Sequence, residues 1–233
     1  MPERDRDAQP DEAEPMNQQN FAAMRSAMIA SQLRTVGVND PALLIALEAV
    51  ARERFVPESR AALAYVDTAI PLGNGRALNP AMASARLLNE AMIRPSDHVL
   101  LIGAATGYLA AVIAHLAAQV VAVEDATALR SVATCELGSA DNIIVVDAPL
   151  IAGAPAYAPF DLIVIDGAVE QLPNDVIDQL KPGGRIVTGI VEGGVTRLAL
   201  GHKSAGGFGL TPFADAACVI LSAFSKPRAF AFS

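Results

Sequence analysis

Val99-Leu100-Leu101-Ile102-Gly103-Ala104-Ala105-Thr106-Gly107-Tyr108 decides the fold. Four apolar residues without a charge read as a buried strand, Gly103 permits a tight exit, and Gly107 permits a close approach where the next helix begins. A second β-branched run, Val120 to Val123, ends in Glu124. After such a turn, an acid at the end of the second strand typically bonds both hydroxyls of a ribose. Strand, turn, helix, strand and terminal acid in register predict a site for an adenosine-containing ligand.

Further β-branched runs at Ile143 to Val146, Leu162 to Ile165 and Arg185 to Ile190 alternate with helical or loop stretches. That alternation predicts a parallel sheet with right-handed crossovers. Beyond it, Arg197 to His202 and Ala217 to Phe224 read as strands of a hairpin around Gly206, Gly207 and Gly209. Upstream, apolar spacing predicts helices over 17–33, after Pro41, from Pro57, and from about Pro80 to Ile93, with a turn-rich stretch at 70–80. The expected architecture is an α/β doubly wound sheet with a helical N-terminal cap and a C-terminal antiparallel hairpin. Residues 1–15 are expected to be a disordered acidic tail, and 16–233 one domain: cap and substrate loop to 95, cofactor-binding sheet from 96 to 233.

Charge narrows the partners. The chain carries 25 acids against 17 bases, a net charge of −8. Half of that net charge lies in the first fifteen residues, where Glu3, Asp5, Asp7, Asp11, Glu12 and Glu14 face only Arg4 and Arg6. No cluster of Lys and Arg is large enough for a nucleic-acid surface. The uncharged run from Val99 to Ala114 falls short of the ~20 residues of a membrane span. The charged, Pro-containing start has no apolar signal-peptide core. Cys135 and Cys218 are expected to be buried thiols in a reducing cytoplasm. His98, His115 and His202 lack metal-ligand spacing. The expected setting is therefore cytoplasmic, with no metal, nucleic acid or membrane involved.

The ligand can be read more closely. A dinucleotide turn would need glycine where Ala105 and Tyr108 stand. Glycine at the first and fifth positions, Gly103 and Gly107, suits S-adenosylmethionine, with Ala104, Ala105 and Thr106 between them. Asp147, ending the third strand, is placed to accept from the adenine amino group, and Asp166 at the fourth-strand exit completes the predicted cofactor set.

Several ordered motifs then resemble one family. Met28-Ile29-Ala30-Ser31-Gln32-Leu33-Arg34-Thr35, Val38-Asn39-Asp40-Pro41, Arg52-Glu53-Arg54-Phe55-Val56-Pro57 and Ala64-Tyr65-Val66-Asp67 are similar to the N-terminal region of protein-L-isoaspartate O-methyltransferases. Ala158-Pro159-Phe160-Asp161-Leu162-Ile163-Val164 and Gln179-Leu180-Lys181-Pro182-Gly183-Gly184-Arg185-Ile186-Val187 resemble its fourth-strand and fifth-strand motifs. The resemblance implies a class I methyltransferase (Rossmann-like) fold. It also implies methyl transfer from S-adenosylmethionine to the α-carboxylate of an isoaspartyl residue in a protein or peptide. The ester collapses to a succinimide that reopens partly to aspartate, which is protein repair.

Three departures from the family pattern stand out. Leu101 occupies the position of the first-strand acid and Ala105 that of the middle glycine, which predicts a weakened grip on S-adenosylmethionine. The family serine that helps hold the substrate carboxylate falls on Asn79, which is expected to act as the catalytic-site donor or else to cap the helix after Pro80. Asp166 and Glu170 stand where small neutral residues are usual, and would repel an anionic acceptor. The alternative reading is a degenerate member kept as a binding module. A nucleotide-dependent oxidoreductase is disfavoured by Ala105 and Tyr108.

Overall fold

The structure is a computed structural model describing residues 18–73, 75–138 and 140–226; the acidic tail lies outside them. Helix α1 (Gln18–Met28) runs on through a π turn and a 3-10 turn to Gly37, whose φ of 89° ends it. Helix α2 (Pro41–Ala49) starts as its sequence dictates: Pro41 needs no N–H partner there, and the Asp40 carboxylate accepts from the Ala42 and Leu43 amides. Strands β1 (Ile70–Gly73) and β2 (Arg76–Leu78) form a small antiparallel hairpin in the stretch that reads as turn-rich. Helix α3 (Ala81–Ala91) follows, and its last carbonyls receive the Arg185 guanidinium, which also pairs with Asp97 at 2.6 Å.

The main sheet comprises β3 (His98–Ile102), β4 (Gln119–Val123), β5 (Ile143–Val146), β6 (Phe160–Val169), β7 (Leu180–Glu192), β8 (Val195–Ser204) and β9 (Gly207–Asp215). Helices α4 (Tyr108–Ala114), α5 (Thr127–Leu137) and the short α6 (Asn174–Ile177) interrupt them. The order is β5-β4-β3-β6-β7-β8-β9, parallel through β7 and antiparallel beyond. Burial on both faces explains why the central strands are continuous apolar runs. Val99, Leu101, Val120, Ala122 and Val164 pack towards residues of α1 to α5. Leu100, Ile102, Val121, Ile163 and Ile165 pack the other way.

That second face is thinly covered, by α6, two 3-10 turns and the chain after β9. Pro149, Pro155 and Pro159 punctuate the β5 to β6 crossover and keep long helices out of it. One expectation needs correcting. The second strand of the hairpin is β9, not Ala217 to Phe224. The latter segment is apolar because it lies across the carboxyl end of β6, tied there by Ala168 N–H to the Val219 carbonyl (2.7 Å) and Leu221 N–H to the Ala168 carbonyl (2.9 Å). The cysteines also differ from expectation: Cys135 is exposed and Cys218 half-buried, both as free thiols. Among the described residues no helix is long and apolar enough to cross a membrane.

Candidate active site

The chain leaves β3 by a turn whose geometry follows from its residues. The Gly103 and Ala104 amides both donate to the Val123 carbonyl at 3.0 Å, which Gly103 reaches at φ 80°. Ala105 then takes φ 50°, a left-handed conformation that costs a residue with a Cβ about 1–2 kcal/mol. Its amide donates to Glu124 Oε2 at 2.7 Å, and that charge-assisted bond holds the turn. Thr106 Oγ donates to the Phe55 carbonyl at 2.6 Å, fixing the turn to the N-terminal cap. Gly107, at φ 98°, begins α4; a Cβ there would lie 2.8 Å from Leu137 Cδ1, so the close approach it permits is that of α5. Leu101, in the position of the family acid, is fully buried in the apolar cluster.

Glu124 is completely buried at the end of β4. Besides Ala105 it accepts from the Ala126 amide (3.1 Å) and from Arg76 Nη2 (2.7 Å). Burial pushes its carboxyl above the usual carboxylate range, and Arg76 with the two amides opposes this. Asp147 follows β5 beside Glu124, whose amide donates to the Val146 carbonyl (3.2 Å); largely exposed, it makes a two-pronged pair with Arg130, both contacts 2.7 Å. Arg130 also donates to the Glu124 carbonyl, so it staples the ends of β4 and β5.

Asn79 and Asp166 do meet, although 87 residues separate them. Asn79 is 2% exposed; its amide nitrogen donates to Asp166 Oδ1 (3.0 Å) and its oxygen accepts from the Val219 amide (2.8 Å). Ser84 Oγ donates to the same Asp166 oxygen at 2.9 Å. The predicted substrate contact is thus engaged with a buried acid and with the C-terminal segment. Glu170 serves the same segment, accepting from the Lys226 amide.

Arg52, unweighed in the sequence though it opens a family motif, organises this region. Fully buried, it donates to the Ala64 carbonyl (2.8 Å) and the Asn79 carbonyl (2.6 Å), and its guanidinium carbon sits 4.6 Å from the centre of the Tyr108 ring. One side chain therefore joins the cap, the Asn79 loop and the first residue of α4. Burial, and then Asp166, push the Cys218 thiol up to about 12, which keeps it protonated at neutral pH.

Burial also raises the Asp166 carboxyl above its ordinary value, against the pull of Asn79 and Ser84. An acid with a raised folded-state pKa holds its proton in the native protein at pH values where the unfolded chain has lost it. Its contribution to stability therefore falls as pH rises through the interval above the unfolded value and is gone above the folded one. Asp166→Asn keeps an acceptor oxygen for Asn79 and Ser84 without the charge. Thermal melts across pH 4 to 8 are expected to show a shallower decline with pH for this variant than for the wild type, and a higher Tm at neutral pH. An unchanged slope would show that Asp166 is not the titrating group.

Strand, glycine turn, helix and strand-end acid on this parallel sheet with an antiparallel end define a class I methyltransferase scaffold. The sequence profile of protein-L-isoaspartate(D-aspartate) O-methyltransferases matches residues 24–221. A protein-L-isoaspartate O-methyltransferase of Methylorubrum extorquens is 38% identical over 186 residues, 78% of this chain and 81% of that protein. One from Rhodopseudomonas palustris is 36% identical over 72% of this chain and 69% of that protein. The chain belongs to the protein-L-isoaspartate(D-aspartate) O-methyltransferase family. Among solved structures, a Plasmodium falciparum protein described as a protein-L-isoaspartate O-methyltransferase in complex with S-adenosyl-L-homocysteine shares the fold. Its TM-score is 0.73 at 17% identity, over 87% of this chain and 98% of that one. A second structure of that name gives 0.71 at 23% identity over 85% of this chain and 66% of its own length.

Proposed function

We propose that the chain is an S-adenosylmethionine-dependent carboxyl O-methyltransferase acting on isoaspartyl residues of proteins or peptides, in a protein-repair role in the cytoplasm. The observation that carries this reading is the turn itself: Gly103 in a left-handed conformation, the α4 start at Gly107, and the Glu124 carboxylate held against the Ala105 amide. Free thiols at Cys135 and Cys218 agree with a reducing compartment.

The residues fit an adenosyl ligand. Glu124 is the ribose acceptor, and a cavity of about 200 Å³ opens beside it, lined by Gly75, Arg76, Asp125, Ala126 and Leu150 among others. When bound, S-adenosylmethionine supplies an electrophilic methyl group on a sulfonium. The acceptor carboxylate is already ionised at neutral pH, so the protein needs no general base. What it must supply is alignment and a dry pocket. The Gly103 to Gly107 turn and Glu124 orient the donor side, and Ser84 and Asn79 fix Asp166 on the acceptor side. Asp166 bears on the acceptor through its charge: protonated it tolerates a carboxylate neighbour, ionised it repels one. Grip on the cofactor is weaker than the family pattern gives, since Leu101 offers no polar atom beneath the turn and Ala105 carries a methyl group.

A second reading, a family member retained as a binding module, is favoured by the engagement of both Asn79 and Glu124 in bonds within the chain. Formation of a base-labile methyl ester on an isoaspartyl peptide, and not on its aspartyl counterpart, separates the two.

A further inference from the structure

The free face of Gly103 is the side a ligand's backbone-like end would approach. A Cβ built there would lie 3.4 Å from Leu221 Cδ1, 3.6 Å from Arg76 Nη2 and 3.8 Å from the Asp166 carbonyl oxygen. The protein's own side chains are therefore packed against the cradle. At Glu124, Arg76 Nη2 donates at 2.7 Å, so a guanidinium N–H stands where a ribose hydroxyl would donate. The cavity of about 200 Å³ lies immediately outside, with Arg76 and Leu221 among its walls. It is smaller than the roughly 300 Å³ at which small-molecule pockets begin.

From this we propose that the cofactor cleft is self-occluded: Arg76 and Leu221 hold the inner half of the adenosyl site in the free protein, and both turn aside when the ligand enters. The proposal rests on the methyltransferase reading. Arg76 has a second partner ready, Asp125 Oδ1 at 4.0 Å, which is far more exposed than Glu124. Arg76 swings outward to Asp125 and leaves the Glu124 carboxylate to the ribose diol. Its position on a two-stranded hairpin beside Gly75, at φ 72°, places it on a light element rather than on the main sheet. Leu221 belongs to the segment that crosses β6, held by Ala168, by Asn79 through Val219, and by Glu170 through Lys226. Gly167 permits that seat: a Cβ there would lie 2.6 Å from Leu221 Cγ and 2.8 Å from the Val219 carbonyl oxygen. Asn79 thereby acquires a role, as the latch connecting the buried Asp166 to the covering segment.

A ligand that must first expel two side chains binds with an affinity reduced by the open fraction. Calorimetric titration with S-adenosylhomocysteine tests this directly, using wild type, Arg76→Ala, Leu221→Ala and the double variant, each checked by thermal melting. The double variant is expected to bind at least tenfold more tightly than wild type, and each single variant less so. Gly167→Ala, which lifts the segment without touching Arg76 or Glu124, is expected to tighten binding too and stands in if an alanine variant does not fold. Wild-type binding that no folded variant exceeds in affinity overturns the occlusion while leaving the methyltransferase reading intact. No binding by any of them at millimolar ligand overturns both.

Discussion

Arg52→Ala is expected to lose about 3–5 kcal/mol of stability, the range for truncating a large buried side chain, with two hydrogen bonds from a charged donor lost as well. For a chain of this length that corresponds to a fall in Tm of about 10 °C. The reason is geometric. Arg52 is wholly enclosed and is the common partner of the Ala64 carbonyl, the Asn79 carbonyl and the Tyr108 ring. Deletion leaves two carbonyls without their donor and a gap between the cap and α4. Arg52→Lys keeps the charge but not the planar fork that spans both carbonyls, so it is expected to recover only part of the loss. Differential scanning calorimetry checks the series. A change below about 1 kcal/mol would mean that water or neighbouring side chains satisfy these groups unaided.

Glu124→Ala is expected to cost the fold somewhat less than Arg52→Ala and ligand binding more. It removes the acceptor of two backbone amides and leaves the Arg76 guanidinium, mostly buried, without its closest counter-charge. Removing one partner of a buried pair costs about 3–5 kcal/mol when the remaining charge is uncompensated; here Asp125, 4.0 Å from Arg76, takes up part of that charge, so the loss is expected at the low end of this range. The proposed ribose acceptor disappears too, so S-adenosylhomocysteine affinity is expected to fall on the order of a hundredfold, the equivalent of one or two charge-assisted hydrogen bonds. A double-mutant cycle separates the effects. Arg76→Ala combined with Glu124→Ala removes the stranded charge and should restore part of the stability, whereas binding stays low because the acceptor is still missing. Full recovery of binding in the double variant would place the ribose away from Glu124.

Much of this scaffold can be read directly in the chain. The strands from Val99 to Ile190 and the Gly103 turn announce themselves because parallel strands buried on both faces must be continuously apolar and their exits need glycine. Glu124 is legible for the same reason, as the first charge after a β-branched run. What the sequence hides is whatever depends on distant partners. Asn79 is held by Asp166 and by Val219, 87 and 140 residues away, and no local pattern announces either. Arginines are mostly exposed, so composition argues against the burial of Arg52, and only its place in a family motif hinted at it. Ala217 to Phe224 has the apolarity of a strand because it is a cover, and periodicity alone does not separate the two. Arg76 could have been noticed as the cation beside the Gly75 turn, but its pairing with Glu124 exists only once the β1–β2 hairpin folds back on the end of β4.

Asp147 and Asp166 show how placement alters an acid. Asp147 follows the outer β5 and faces solvent with Arg130, while Asp166 sits inside the central β6, at the irregularity between Ile165 and Ala168, and is enclosed.

The most direct test of methyl transfer to isoaspartate uses labelled S-adenosylmethionine with a peptide carrying one isoaspartyl residue, and the same peptide carrying aspartate. The protein is expected to place label on the isoaspartyl peptide alone, as an ester released as methanol at high pH, faster in the Arg76→Ala, Leu221→Ala double variant than in the wild type. No ester on either peptide from wild type or double variant, with S-adenosylhomocysteine binding demonstrated in the same samples, would contradict the assignment and leave a binding module on a methyltransferase scaffold.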